Sequence, residues 1–325
     1  MIKLSIIIPF KNSEKSIIRT LKSIKIQNIN SNIYEVLLIN DFSNNKTIYK
    51  IKKYINDLEN FKLYKSKKNT TGPGYARNLG VKYSKGKFIL FLDSDDCLKK
   101  NCLIKILKKI DVIKSDIYAF GFSIIDQLNN MKRLQRHDLH LMRLDKIEIF
   151  KNYFDASIIP QVISNLFSRK FLIKNKIKFK EGYFEDILFF FKSIYYSKLI
   201  KTNNDIFYIK YNINNSIVNT ISRRHILNHF KAYSDCYNFI AKKKFNNNYK
   251  TKLKYFYIKG IIGLTAVYIN KVNRSNITKI KKNRLISNIH KIYSKILLAS
   301  KIKYVYKTDK DKFVKKFFKI IDEKK

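Results

Sequence analysis

Cysteine is scarce in this chain. The three present, Cys97, Cys102 and Cys236, are odd in number and fall at no metal-ligand spacing, which argues against a disulfide framework and reads as free thiols in a reducing compartment. Long apolar runs are missing too. None reaches the roughly 18 residues of a membrane span; the nearest approach, 258–269, carries Lys259 near its start. The run at 4–8 is too short for the core of a signal peptide and ends at Pro9 without a small-residue cleavage site. A cytoplasmic protein is therefore expected, with peripheral attachment to the inner face of the cytoplasmic membrane open to it. Glycine-rich phosphate loops are also lacking: neither GxxxxGK[ST] nor GxGxxG occurs, which argues against an ATPase or a dinucleotide dehydrogenase.

Acid is in short supply, with 24 Asp and Glu against 68 Lys and Arg, a formal charge of +44. Such an excess ordinarily points to nucleic acid or an anionic membrane surface. Lys, Asn and Ile, however, are heavily used in every segment, as a general compositional bias would produce, so no specific nucleic-acid partner is expected. Contact with anionic lipid headgroups or phosphorylated ligands fits the charge. A non-enzymatic basic module binding nucleic acid or anionic membrane is the competing reading, and steep salt dependence would mark it.

What the chain does have is a regular alternation over its first hundred residues. Apolar runs at 4–8, 35–39, 61–64 and 88–92 have the length and β-branched character of buried strands. Between them lie helical patterns: Ile17, Ile18, Leu21 and Ile24 after a Ser13 cap, then Ile48, Ile51 and Ile55, then 76–84. Strand and helix in alternation predict a mostly parallel sheet flanked by helices. A helix at 101–110 capped by Asn101, strands at 116–125 and 206–211 and a turn at Asn129-Asn130 follow. Beyond about 222, Tyr, Phe, Ile and Lys recur at helical spacing. The division expected is a catalytic α/β domain at 1–220 and a basic helical region at 221–325, with core packing expected of the aromatic stretch 230–268.

Ligands of such sheets bind beyond the carboxyl ends of the strands, and there the chain places FLDSDD at 91–96. Three carboxylates so close repel one another. Helix capping accounts for one or two of them. A calcium loop is excluded, because its fifth and sixth positions fall on Cys97 and Leu98. An all-oxygen cluster suits Mn²⁺ or Mg²⁺, which are held by one or two carboxylates together with substrate phosphates. Asp-x-Asp at a strand end thus suggests a nucleotide diphosphate. His225 and His229 stand four apart, a zinc-compatible spacing, but without a third ligand they read as a solvated helix face; His137, His140 and His290 are weaker still.

Several motifs, in order, resemble the family 2 glycosyltransferases of the GT-A fold. They are LSIIIPFKNSEKSIIRTLKSIKIQ, LLINDFSNNKT and TGPGYARNLGVKYSKGKFILFLDSDD, the last the most specific, with islands at KIKFKEGYFEDILFF and YNINNSIVNT. The likeness is clear over about 1–125 and patchy to about 220. Asn40 and Phe42 depart from it, standing where the family has Asp and Gly.

The resemblance implies a GT-A sheet and transfer of a sugar from a nucleotide-diphosphate donor, most simply a UDP-sugar. The acceptor it implies is a glycan or lipid-linked glycan of a surface polysaccharide. It further implies Asp95 as leading metal ligand with Asp93, and Asp96 in the metal cluster or holding the loop. Pro9 and Asn12 would border the nucleotide, and Asp41 would accept from the base. Arg77 would meet base or diphosphate, and Gly72 and Gly74 would let the backbone approach the ligand. For inverting transfer the general base would be Asp186, with Glu185 as the alternative. Both also suit the first turn of a helix at 187–196 by their charge alone.

Overall fold

The computed structural model describes residues 1–300 except 68, 70, 127–130, 136–144, 155–157, 159–160, 213–220 and 276. The first half alternates as expected: β1 (Leu4–Phe10), α1 (Ile17–Lys25), β2 (Tyr34–Asn40), α2 (Asn45–Ile55), β3 (Phe61–Lys65), α3 (Gly74–Tyr83), β4 (Phe88–Phe91), β5 (Cys97–Leu98), α4 (Cys102–Ile110) and β6 (Ile117–Asp126). There follow β7 (Met131–Gln135), α5 (Lys146–Phe154), β8 (Asn165–Ser168), α6 (Arg169–Lys174), α7 (Glu185–Tyr196), β9 (Ile200–Asn212), α8 (Arg223–Ala241), α9 (Asn247–Arg274) and α10 (Lys279–Ser300).

The strands form one sheet in the order β3-β2-β1-β4-β8-β6-β9-β5, with β7 beside β6. It is mixed. The long ladders β1–β2 and β6–β9 are parallel, whereas β8 runs antiparallel to both β4 and β6, and β5 antiparallel to β9. The strand-helix alternation that predicts parallel pairing stops at β6, which turns back into β7 as a hairpin. The Asn129-Asn130 pair lies outside the described residues. β9 begins six residues before the apolar run at 206–211, because its first half, IKTNND, is polar and gives no strand signal.

Every residue of β1 and β2 is buried, the signature of a sheet covered on both faces. Alternate side chains feed two cores. Ile6, Ile8, Val36 and Leu38 pack with Ile17, Leu21, Ile24, Leu103 and Ile106 of α1 and α4. Ile7, Leu37, Ile39 and Phe91 point the other way, into a core built with α3, α5, α7 and the C-terminal helices through Phe150, Phe189, Phe191, Phe230, Tyr257 and Ile261. The aromatic stretch 230–268 is therefore core, as expected.

Two capping expectations fail. α1 starts after Ser16, and Ser13 contributes only its carbonyl oxygen, which accepts from the Ser16 and Ile17 amides. Asn101 does precede α4, but its backbone is left-handed (φ 62°) and its side chain caps nothing. The Leu103 amide is met instead by Gln27 Oε1 at 3.2 Å, a group on the far side of the β5 turn. No helix among the described residues is long and apolar enough to cross a membrane.

Candidate active site

FLDSDD leaves β4 at the middle of the sheet, and neighbouring elements grip its backbone. The Ser94 carbonyl accepts from Ser16 Oγ and Thr20 Oγ1, both at 3.0 Å, and the Asp95 carbonyl accepts from Arg19 Nη2 at 2.6 Å. Arg19 in turn lies over the Tyr211 ring, 3.7 Å from its centroid. Carboxylate oxygens of Asp93, Asp95 and Asp96 come within 4.8 Å of one another. Their environments differ. Asp96 is buried and both its oxygens are engaged, accepting from Tyr208 Oη at 2.7 Å and from the Tyr211 amide at 2.8 Å. It ties the loop to β9. Asp95 makes no side-chain hydrogen bond among the described residues, and burial, then the Asp93 charge, pushes its carboxyl up to about 6. Lys210 and Arg19 pull it back only in part, and an oxygen-only cluster of this kind matches what Mn²⁺ or Mg²⁺ takes.

Arg77 is not where a ligand-contacting arginine would be. Its side chain is buried, with Nη2 donating to Asp93 Oδ1 at 2.7 Å and Nη1 to Glu185 Oε1. It bridges the Asp93 loop to the first turn of α7, with Nε left unpaired. Glu185 sits in the same ion pair. It is buried and spoken for, its carboxyl raised by burial and pulled back by Arg77, and a charge locked in a buried ion pair is a poor proton acceptor. Asp186, the next residue, is only half-buried and has no hydrogen-bond partner among the described residues. Burial and the neighbouring Glu185 push it up to about 7, against the pull of Arg77 and Lys210. Lys210 also acts on Asp95, so one lysine on β9 faces both carboxylates.

The rest of the ARNLG motif is scaffold. Asn78 clamps the Phe179 backbone, Nδ2 donating to its carbonyl and Oδ1 accepting from its amide, each at 2.9 Å. A Cβ on Gly80 would lie 2.3 Å from Ile7 Cγ2, and one on Gly72 or Gly74 would meet the carbonyl oxygens of Gly182 or Lys180 at 2.2 or 2.5 Å. Gly72 and Gly74 thus admit another backbone segment, the one leading into α7, rather than a ligand.

At the ends of β1 and β2 a second polar cluster forms. Pro9 lies in β1. Asn12 (φ 49°) accepts from the Asn44 amide at 2.8 Å, while its own amide donates to Ser43 Oγ at 3.1 Å. Asn40 Oδ1 accepts from the Ser43 amide at 2.8 Å, closing a turn that an Asp would close equally well, and Phe42 takes the left-handed conformation (φ 58°) of the missing glycine. Asp41 is buried beside this turn with Oδ1 unpaired and Lys11 3.9 Å from Oδ2. Burial raises its carboxyl and Lys11 lowers it. A buried acceptor without a donor is costly unless a ligand supplies one.

Residues 5–177, more than half of the chain, match the family model for glycosyl transferase family 2. The chain belongs to this family. Among its relatives, the poly(ribitol-phosphate) beta-N-acetylglucosaminyltransferase TarS of Staphylococcus aureus is 38% identical over 117 residues, 36% of this chain and 20% of TarS. TarP of the same species, also a poly(ribitol-phosphate) beta-N-acetylglucosaminyltransferase, is 28% identical over 255 residues, 76% of this chain and 75% of TarP. The match to TarS thus spans only a fifth of that protein's length. The crystal structure of TarS residues 1–349 with UDP-GlcNAc superposes with a TM-score of 0.67 at 20% identity, covering 95% of each chain. The fold is therefore that of this glycosyltransferase: a GT-A type sheet with flanking helices and a helical C-terminal part.

The residues that sequence reasoning passed over are Tyr208, Lys210 and Tyr211 on β9 and Arg19 on α1. Tyr211 opens the YNINNSIVNT island, but no local pattern marks the contacts these residues make, since β9 arrives beside a loop more than a hundred positions earlier in the chain and Arg19 reaches that loop from α1.

Proposed function

We propose that this family 2 member is a metal-dependent inverting glycosyltransferase that moves a sugar from a UDP-sugar to a hydroxyl of a glycan or lipid-linked glycan acceptor in surface-polysaccharide assembly. The observation that carries the reading is Asp186. It is a carboxyl with no hydrogen-bond partner among the described residues, its proton held up to about 7, in the first turn of a helix whose first residue, Glu185, is tied through Arg77 to the Asp93 loop.

In this reading Asp41 accepts from the nucleotide base, with Pro9 and Asn12 bordering the nucleotide at the ends of the same strands. Asp95, with Asp93, would hold Mn²⁺ or Mg²⁺, and Asp96 keeps their loop in place. The cation, when bound, supplies charge to offset that of the departing diphosphate. Asp186 takes the proton from the acceptor hydroxyl as its oxygen bonds to the anomeric carbon and the bond from that carbon to the diphosphate oxygen breaks. General-base help of this kind is worth about 10² to 10⁴ in rate. The family, the poly(ribitol-phosphate) N-acetylglucosaminyltransferase relatives TarS and TarP, and UDP-GlcNAc in the TarS structure support a UDP-sugar donor and a polymer hydroxyl as acceptor. The charge of +44 supports a polyanionic acceptor or approach to an anionic membrane surface from the cytoplasmic side.

Calorimetry of UDP with and without Mn²⁺ tests this. Asp95→Ala should abolish the Mn²⁺-dependent part of UDP binding while leaving the fold intact. Unchanged Mn²⁺-dependent affinity in that variant would remove the metal role and with it the reading.

A further inference from the structure

The histidine pair on α8 is not a solvated face. His229 stacks on Phe184 with ring centroids 4.1 Å apart and planes 10° from parallel, and one turn earlier His225 stacks on Tyr183 at 4.3 Å and 6°. Two consecutive residues of the loop that leads into α7 are therefore each covered by one of two histidines spaced i, i+4 on one helix face. Both imidazoles are braced from behind. His229 Nδ1 lies 2.9 Å from Tyr268 Oη on α9, and His225 Nδ1 lies 2.7 Å from Ser222 Oγ, the cap of α8. Burial, then Lys271, pushes the His229 ring down to about 4, so it stacks as a neutral ring at any ordinary pH.

What these rings hold is strained. Phe184 is the residue before α7 and sits in the left-handed region (φ 61°, ψ 33°), a conformation that is costly for a non-glycine residue and persists only where the surroundings over-determine it. The surroundings here do so from several sides. Arg224 donates to Thr71 Oγ1 and lies 5.4 Å over the Tyr183 ring, the Gly182 amide donates to the Thr71 carbonyl at 2.8 Å, and the Gly182 backbone packs so tightly on Gly72 that a Cβ there could not fit. Asp186 follows Phe184 by two residues and has no described hydrogen bond of its own to aim it. Its direction is set by the backbone turn at Phe184.

We propose that α8 is the clamp that positions the general base: His229, and with it His225, fixes Phe184 in its left-handed turn and so aims the Asp186 carboxylate at the acceptor hydroxyl. His229 is a positioning residue, and the proposal rests on Asp186 being the base.

The test uses the full chain with UDP-N-acetylglucosamine and Mn²⁺ as probe, UDP release as readout, and amide exchange across 181–188 measured in parallel on the free protein. His229→Ala should quicken exchange in that segment and lower kcat by about tenfold or more, since a small misplacement of a reacting group is costly. KM for the nucleotide sugar should stay within about twofold, because uniform binding is untouched. His229→Phe, which keeps a ring on Phe184, should restore most of both. Wild-type exchange and kcat in a folded His229→Ala protein would overturn the proposal, as would a loss appearing in KM alone. If His229→Ala does not fold, Tyr268→Phe, which removes only the bracing hydroxyl, carries the same two readouts and the same overturning outcomes. Asp186→Asn separates the proposal from the reading beneath it. An active Asp186→Asn protein overturns the base assignment whatever the clamp does, whereas an inactive one beside a fully active His229→Ala overturns the clamp alone.

Discussion

Burial raises the carboxyls of Asp186 and its neighbour Glu185 alike, and the two differ in what offsets it. Glu185 is ion-paired to Arg77, whereas Asp186, raised to about 7 by burial and by the Glu185 charge, holds a proton that an ordinary carboxyl would have lost some three pH units earlier. Two consequences follow in opposite directions. Only the ionised form accepts a proton, so kcat/KM, which reports groups of the free enzyme, should fall as pH drops through about 7, and a profile flat between pH 6 and 8, roughly, would remove Asp186 from the reaction. For stability the sign reverses. The folded state binds this proton more tightly than the unfolded one, so its contribution is lost as pH rises from the ordinary carboxyl range through about 7. Asp186→Asn, which cannot ionise, should therefore melt higher than wild type at alkaline pH and no higher at acidic pH, while transfer stops. That pairing of gained stability with lost activity would mark a destabilised functional residue.

At the scale of elements, α3 shows what the sequence made legible and what it did not. ARNLG is legible as part of the most specific motif of the chain, and it lies on α3 directly before the apolar strand β4 and the acidic loop. The jobs of its residues are not legible, because each is done against a segment far away in sequence: Asn78 and Arg77 against 179–185, Gly80 against Ile7. An arginine near an acidic cluster looks the same in one dimension whether it faces a diphosphate or is locked between two carboxylates. The consequence is that α3 changes should damage the fold before they damage binding. Gly80→Ala puts a Cβ 2.3 Å from Ile7 and should cost about 1–3 kcal/mol by overpacking. Asn78→Ala strips both hydrogen bonds from the Phe179 backbone and should cost about 1–3 kcal/mol through the groups left unpaired. Denaturant titration reads both, and losses under about half a kcal/mol, the level of an ordinary surface change, would contradict the scaffold role assigned to α3.

At the scale of the molecule, the two faces of the sheet are completed by different parts of the chain. α1 and α4, both from the first third, cover one face. The other is closed by α8, α9 and α10, the helices that the sequence suggested were a region apart. Their Tyr, Phe, Ile and Lys pattern did announce helices with an apolar stripe, but a stripe does not name the surface that it covers. That surface is central. Tyr233 and Tyr257 pack on Phe154 at 6.0 and 5.7 Å, and Gly260 lies so close to the Phe154 backbone that a Cβ would come within 2.8 Å of its carbonyl oxygen. Ile226, Phe230, Ile240, Leu253, Ile258, Ile261 and Val272 are all nearly or fully inaccessible to solvent. At about 1.5–3 kcal/mol for each large apolar side chain taken from water, their burial contributes as much as the whole net stability of about 5–15 kcal/mol of a typical protein. A chain cut after residue 220 should therefore not yield a native domain. It would leave Phe154 and Phe191 without their cover and Phe184 without its histidine, and we expect it to aggregate or to bind a hydrophobic dye without a cooperative melt, while the uncut chain unfolds in one transition. A soluble 1–220 fragment that melts cooperatively and keeps Mn²⁺-dependent UDP binding would show instead that the catalytic domain ends where the sequence pattern changes, and that α8 is dispensable to the site it touches.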